Sequence, residues 1–239
     1  MASRVALPLF LSAALLAAVP GRAQLGPEIA RAHAARAGER LAALRALRTE
    51  GKTFIGAEVV PFTTLAERPN RLRVESFTPQ RRVVQACDGE HPPWIAHSEV
   101  QGGVPQPMPA GDAKDFLANA DFDGPLVDYA AKGYSVDYAG EDTVDGRRAF
   151  KLLLMSRHDD IFFLWVDAGN HEVVKRVVYR VSGERRVTIE TLFRDFRPVG
   201  GVLQPHRIET SADGRLLYVM VIDRMEANPP VPDGAFTRP

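Results

Sequence analysis

YSVDYAGEDTVDGRRAFKLLLMSRHDDIFFLWVDAGNHEVVKRVVYR, residues 134–180, opens a run of short apolar stretches that continues to residue 223. Turn residues cut the run at Asp145-Gly146, at 156–159, at Ala168-Gly169-Asn170, at Ser182-Gly183-Glu184, at Gly200-Gly201 and at Asp213-Gly214. Measured at positions 146, 158, 169, 183, 200 and 213, the breaks lie 12, 11, 14, 17 and 13 residues apart. Short strands at such a spacing signal an antiparallel meander, sandwich or barrel. Gly, Asn and Asp supply the positive φ that tight hairpin turns need. No helical stretch interrupts the series.

Within it, Tyr134, Val136 and Tyr138 share one face, as do Phe150, Leu152 and Leu154. Residues 161–166 are apolar throughout, which predicts a strand covered on both faces. Val173, Val177, Tyr179 and Val181 follow, with Lys175 interrupting. Val187, Ile189 and Phe193 alternate with Thr188, Glu190 and Arg194, and Leu216, Tyr218, Met220 and Ile222 close the run. Pro205 cannot donate to a ladder, so its strand is expected at an edge or a bulge.

Upstream, the texture changes. Residues 102–111 contain Pro105, Pro107 and Pro109 and read as a loop. Residues 112–120 and 124–132 read as two short helices, with Asp112 and Asp121 as expected N-caps. Before them, strands are expected over 48–62, 71–77, 81–87 and 92–98. The second alternates Leu72 and Val74 with Arg71, Arg73 and Glu75. Residues 26–47 predict one long helix, because Ala34, Ala37, Leu41, Leu44 and Arg48 recur at steps of three and four.

Residues 1–23 carry Arg4, an apolar run from 5 to 19, and Gly21-Arg22-Ala23 with small residues flanking a cleavage position. That pattern is a secretory signal peptide, and the run is shorter than a spanning helix needs. The expected organisation is therefore a leader over 1–23 and one domain over 24–239. The chain has 30 basic and 30 acidic residues. Removing Arg4 and Arg22 leaves 28 against 30, a net charge of −2, which gives no support to a nucleic-acid partner. The one cysteine, Cys87, reads as a small buried strand residue.

Catalytic patterns are missing from the sequence. The six histidines show no zinc spacing and no His-Glu-x-x-His. His158-Asp159-Asp160 falls where a turn belongs. There is no Gly-x-Ser-x-Gly elbow and no Gly-rich phosphate loop. The expectation is a protein without enzyme activity, metal or cofactor. What remains is an apolar surplus: a twisted sheet with one concave face, and a helical insertion bearing Phe116, Leu117, Phe122, Leu126 and Tyr129. A dry core accounts for it, since most apolar faces are core. A space between sheet and insertion would instead take an acyl chain, at about 0.8 kcal/mol for each CH₂ buried.

Several motifs together resemble a known family. They are Glu67-Arg68-Pro69-Asn70 ahead of an alternating strand, Asp88-Gly89 ahead of Trp94-Ile95, and Asn228-Pro229-Pro230 with Asp233 and Phe236 at the end. Their order resembles the periplasmic outer-membrane lipoprotein carriers and lipoprotein-sorting proteins, LolA/LolB-like. The resemblance implies a mainly β (α+β) fold, an open antiparallel half-barrel with an N-terminal helix and a helical lid. It implies a periplasmic carrier that binds lipid acyl chains or lipoproteins without chemistry. It further implies a monomer served by a membrane-bound donor or acceptor protein. The alternative within the fold is a lipoprotein-sensing or protein-interaction module that transports nothing. Arg68 stands where the family's lid-coupling arginine stands. The side chains expected to line a lipid site are Leu72, Val74, Trp94, Phe116, Leu117, Phe122, Leu126, Tyr129, Phe163, Trp165, Tyr179 and Phe193.

Overall fold

The computed structural model describes residues 21–78, 81–98, 103–157, 160–182 and 185–238. The expected leader lies outside them up to residue 20, and its last three positions fall in the first turn of a helix. Helices α1 (Gly21–Ala35) and α2 (Glu39–Ala43) come first. Six strands follow: β1 (Ala46–Ile55), β2 (Glu58–Glu67), β3 (Arg71–Phe77), β4 (Arg82–Cys87), β5 (Trp94–His97) and the two-residue β6 (Gln106–Pro107). Helix α3 (Ala110–Ala120) and a string of turns lead to β7 (Tyr134–Val144). Then come β8 (Arg147–Ser156), β9 (Ile161–Asp167), β10 (Val173–Ser182), β11 (Arg185–Val199), β12 (Val202–Ala212) and β13 (Arg215–Ala227).

All the strands form one antiparallel sheet in the order β6-β5-β4-β3-β2-β1-β13-β12-β11-β10-β9-β8-β7. The first half of the chain runs outward from the centre, β1 to β6, and the second runs inward from the far edge, β7 to β13, which pairs with β1. The two edges, β6 and β7, are consecutive in sequence, so the segment holding α3 crosses from one edge of the open sheet to the other.

The sheet must curl to meet that segment. Strands β3 and β10 are six steps apart in the order, about 29 Å if flat. Two adjacent residues of α3 nevertheless reach both. Phe116 packs in one cluster with Leu72 of β3 and Cys87 of β4, while Asp115 pairs with Arg180 of β10. The architecture is thus an open half-barrel wrapped around α3, as the resemblance implied.

Local chemistry explains the hairpins. Asp145-Gly146, Gly200-Gly201 and Asp213-Gly214 all place positive φ at both central positions (49° and 77°, 58° and 81°, 47° and 79°). This is the two-residue turn whose twist matches the flanking strands. A helix covers one face of strand β9, where Leu164 and Val166 pack with α1, while on the other Trp165 packs only among side chains of neighbouring strands, so the expected cover on both faces is met on one.

Five local expectations need correction. The long helix over 26–47 is broken, because Gly38 adopts φ 53° between α1 and α2 and β1 begins at Ala46. The strand over 48–62 is two strands, turned at Gly56 with φ 59°. The helix over 124–132 does not form. Gly124 stands at φ 74° and the segment runs as turns, although Leu126 is still fully buried. Neither aspartate caps α3: Pro109 takes the N-cap position and Asp121 lies at the C-cap. Pro205 also sits in a central strand. It pairs with Phe196 on β11, while β12–β13 pairing starts at Arg207, so its missing N–H costs the ladder to β13 nothing.

The two ends of the half-barrel differ. One end is plugged by Leu41, Leu44, Leu47, Val199 and Val202. There Asn228 ties the chain together. Its Oδ1 accepts from the N–H of Arg45 (2.7 Å) and Ala46 (3.2 Å), and its Nδ2 donates to Ala43 O (3.0 Å). The other end is ringed by hairpin tips. Eight of the ten large apolar side chains exposed among the described residues stand at that mouth, among them Ile55, Val59, Ile161, Val181 and Leu216.

Candidate functional site

Facing residues on antiparallel strands point to the same side of a sheet. The register therefore joins Tyr138, Leu152, Leu164, Arg176, Thr191, Thr210 and Tyr218 into one row across β7 to β13. Leu152 and Leu164 pack with Ile29 and Ala30 of α1, which fixes this row on the inner, helix-covered face. The same reasoning places Leu72 and Val74 inside, against Phe116 and Ala120 of α3.

Where the helices stop, the inner face stays open. A groove of about 280 Å³ runs over β1 to β4 and β13 towards the mouth, lined by Val60, Phe62, Val74, Val83 and Met220 with Thr53 and Ser76. A second hollow of about 340 Å³ lies between β2, the 88–91 turn and the C-terminal tail. Glu67, Arg71, Asp88, Glu90, His91 and Asp233 line it, so its charge suits no acyl chain. The groove is the candidate site.

One arginine ties the crossing segment down. Arg68, at the end of β2, grips Asp123 through both terminal nitrogens, with Nη2 2.5 Å from Oδ1. Its Nε donates to Leu44 O (2.7 Å) and its Nη2 to Leu41 O (2.9 Å). The guanidinium also lies 5.0 Å from the Phe122 ring centroid, within cation–π range. The clamp thus joins the segment after α3 to the C-terminus of α2, where free carbonyls attract a cation. Burial pushes the Asp123 carboxyl above its usual range, against the downward pull of Arg68. Burial likewise raises the Cys87 thiol. Cys87 is fully enclosed on β4, as its strand position suggested.

The structure divides the expected lining. Leu72, Val74 and Phe193 lie on the inner face of the sheet, and Phe116, Leu126 and Tyr129 pack there from the crossing segment. Phe122 lies beneath Arg68, and Leu117 is exposed on α3. Trp94, Phe163, Trp165 and Tyr179 occupy the opposite face. Trp94 pairs with Ala86 of β4 and donates its Nε1–H to Phe236 O (3.2 Å). Phe163, Trp165 and Tyr179 form an outer aromatic patch roofed by cations, with Lys151 4.5 Å from Phe163, Lys175 4.8 Å from Trp165 and Arg186 4.0 Å from Tyr179. Alternation groups residues by face but does not say which face is inside.

Sequence reading missed Asp123 as the partner of Arg68, and missed Val60, Phe62, Val83 and Met220. The last four belong to strands that were recognised, so only the choice of face was lacking. His158 and Asp159 of the His-Asp-Asp turn lie outside the described residues. Among the described residues no helix is long and apolar enough to cross a membrane.

No family model and no curated protein matches this chain. Solved structures do. A domain named for outer membrane lipoprotein sorting from Vibrio parahaemolyticus superposes with a TM-score of 0.63 at 9% identity, over 90% of this chain and 97% of that one. A DUF1329 family protein from Desulfovibrio piger gives 0.61 at 11% identity, over 90% and 97%. A LolA superfamily protein from Nitrosomonas europaea gives 0.55 at 17% identity, over 87% and 97%. The chain therefore has the LolA-like fold, and at these identities the likeness is one of fold.

Proposed function

We propose that this protein is a non-catalytic carrier that holds a lipid acyl chain, free or attached to a lipoprotein, between its curved sheet and the crossing segment. The observation that carries this reading is the inner-face groove that opens at the mouth and meets, at Val74, the crossing segment latched by Arg68 and Asp123. Its roughly 280 Å³ lies near the lower end of ligand cavities, about 300–1,000 Å³. That is room for part of a chain with the latch closed, and opening the latch would admit more. Ile55, Val60, Phe62, Val74, Val83 and Met220 give the lining its apolar contact, which suits binding by burial, and Glu58, Thr78 and Arg81 line it where it opens at the mouth.

The apolar run and cleavage pattern of residues 1–23 support a secreted, periplasmic protein whose carrier domain is 24–239. A monomer that meets a membrane-bound donor or acceptor fits the exposed apolar ring at the mouth. Mass spectrometry of the purified chain under native conditions is expected to find co-purified lipid or an acylated protein. After delipidation, a fluorescent acyl probe is expected to bind saturably. A delipidated, folded protein that takes up no acyl probe would sink the reading.

A further inference from the structure

Arg176 is the exception on the inner face. It lies in the row between Leu164 and Thr191, with buried Thr191 and Thr210 and then Tyr218 beyond it. Its side chain is partly buried, and its Nε is shut off from solvent without a hydrogen-bond partner. A buried donor left unsatisfied is costly, and an uncompensated buried charge more so.

The carboxylates around Arg176 and its neighbour Tyr134 are already taken. Asp115 is paired with Arg180, Asp160 with Lys114 at 2.5 Å, and Asp121 with Lys132 at 2.5 Å. Among the described residues Arg176 makes no ion pair, and the one carboxylate that acts on it, Asp115, is engaged by Arg180. Arginine stays protonated even when burial opposes its charge, so neutralisation offers no escape. What acts on Arg176 electrostatically is Tyr218, Asp115, Arg180 and Tyr134. Two of these are phenols and one is a second cation. The row thus forms a polar stripe of guanidinium and hydroxyls across an otherwise apolar trough. Beyond Tyr218, the β13 neighbour Met220 lines the apolar groove.

We propose that Arg176 binds the anionic head of the carried amphiphile, a carboxylate or phosphate, while its chain lies in the groove. The inference rests on the carrier reading and adds the class of cargo: a singly chained or multiply chained lipid with an acidic head. Carboxylate and phosphate oxygens match the guanidinium fork. Tyr218 adds a phenol along the row, while the buried Thr191 and Thr210 hydroxyls pair with each other at 3.5 Å. A neutral amphiphile would leave the cation unpaired, which is the basis for discrimination.

The test compares two probes of equal chain length, palmitate and hexadecanol, on the delipidated full chain. Wild type is expected to bind palmitate about tenfold or more tightly, the size of effect a charged hydrogen bond gives. Arg176→Met is expected to lose that preference while keeping hexadecanol affinity, which also reports an intact fold. Arg176→Lys is expected to retain part of the preference. Equal binding of both probes by wild type, or an unchanged preference in Arg176→Met, overturns the inference and leaves the carrier reading standing. Binding of neither probe removes both. Inorganic phosphate and acetate form the third arm. If either binds as tightly as palmitate, Arg176 serves a small free anion and the lipid assignment is wrong.

Discussion

Arg68 and Asp123 lie 55 residues apart and meet in a two-nitrogen, two-oxygen clamp. The clamp is one-sided in burial: Asp123 is 9% exposed and Arg68 33%. Removing either partner strands the other next to the carbonyls of Leu41 and Leu44 or in the lid. Arg68→Leu and Asp123→Asn are each expected to cost about 2 kcal/mol, below the 3–5 typical of fully buried pairs because Arg68 is partly solvated. Hydrogen exchange is expected to quicken selectively over residues 110–133, and acyl probe is expected to enter faster. Uniform exchange across the sheet, with unchanged entry, would show that the clamp does not control the crossing segment.

The assignment of faces gives a paired mutation. Met220→Glu and Phe62→Asp put charge into the inner groove and are expected to weaken acyl-probe binding about tenfold or more, since each removes apolar contact and buries a charge. Trp165→Ala removes a larger side chain from the outer face and is expected to leave affinity unchanged, although it lowers stability. The reverse pattern in a titration would place the site on the outer aromatic patch.

Gly26 lets α1 lie directly on β7. A Cβ there would stand 2.8 Å from Val136 O and 3.0 Å from the Asp137 carbonyl carbon. Backbone cannot swing aside as a side-chain tip can. Gly26→Ala is therefore expected to destabilise by about 1–3 kcal/mol, the usual cost of overpacking, measured by chemical denaturation. A stabilised variant, as expected for an open helical site, would show that α1 does not sit this close.

His33 makes stability depend on pH. Its ring is buried on α1, and its Nδ1–H donates to His171 O at 2.7 Å. Burial first, then the neighbouring Arg36, lowers its pKa from 6.5 to about 4. The folded state thus refuses a proton that the unfolded state accepts. Stability is full above about pH 6.5 and falls as pH drops towards 4, by about 3 kcal/mol at most, at 1.36 kcal/mol per pH unit. Glu172, whose carboxyl is raised by burial beside Arg36, works in the opposite sense at the acid end. Denaturation midpoints from pH 7 to 4 are expected to fall less steeply in His33→Gln. Parallel curves for the two proteins would remove His33 as the cause.

The strands could be read from the residues alone, because alternation and paired turn residues are local. Asp145-Gly146 and Gly200-Gly201 announce their hairpins through the φ they tolerate. The residues also marked the apolar insertion at 112–132, and resemblance singled out Arg68. Shorter signals failed where one glycine decided the conformation: Gly38 and Gly56 each ended an element that periodicity would have continued, and Gly124 stands at positive φ where a helix was expected to start. Which face is inside emerged only from the packing of the folded chain. Trp165 and Leu164 are neighbours in one apolar run, yet they point to opposite sides, and nothing local says which side meets a helix. The partnership of Arg68 with Asp123 and the isolation of Arg176 were equally invisible. Both depend on which charges the curl of the sheet brings within reach, and that curl follows from residues of α3 reaching β3 and β10 at once.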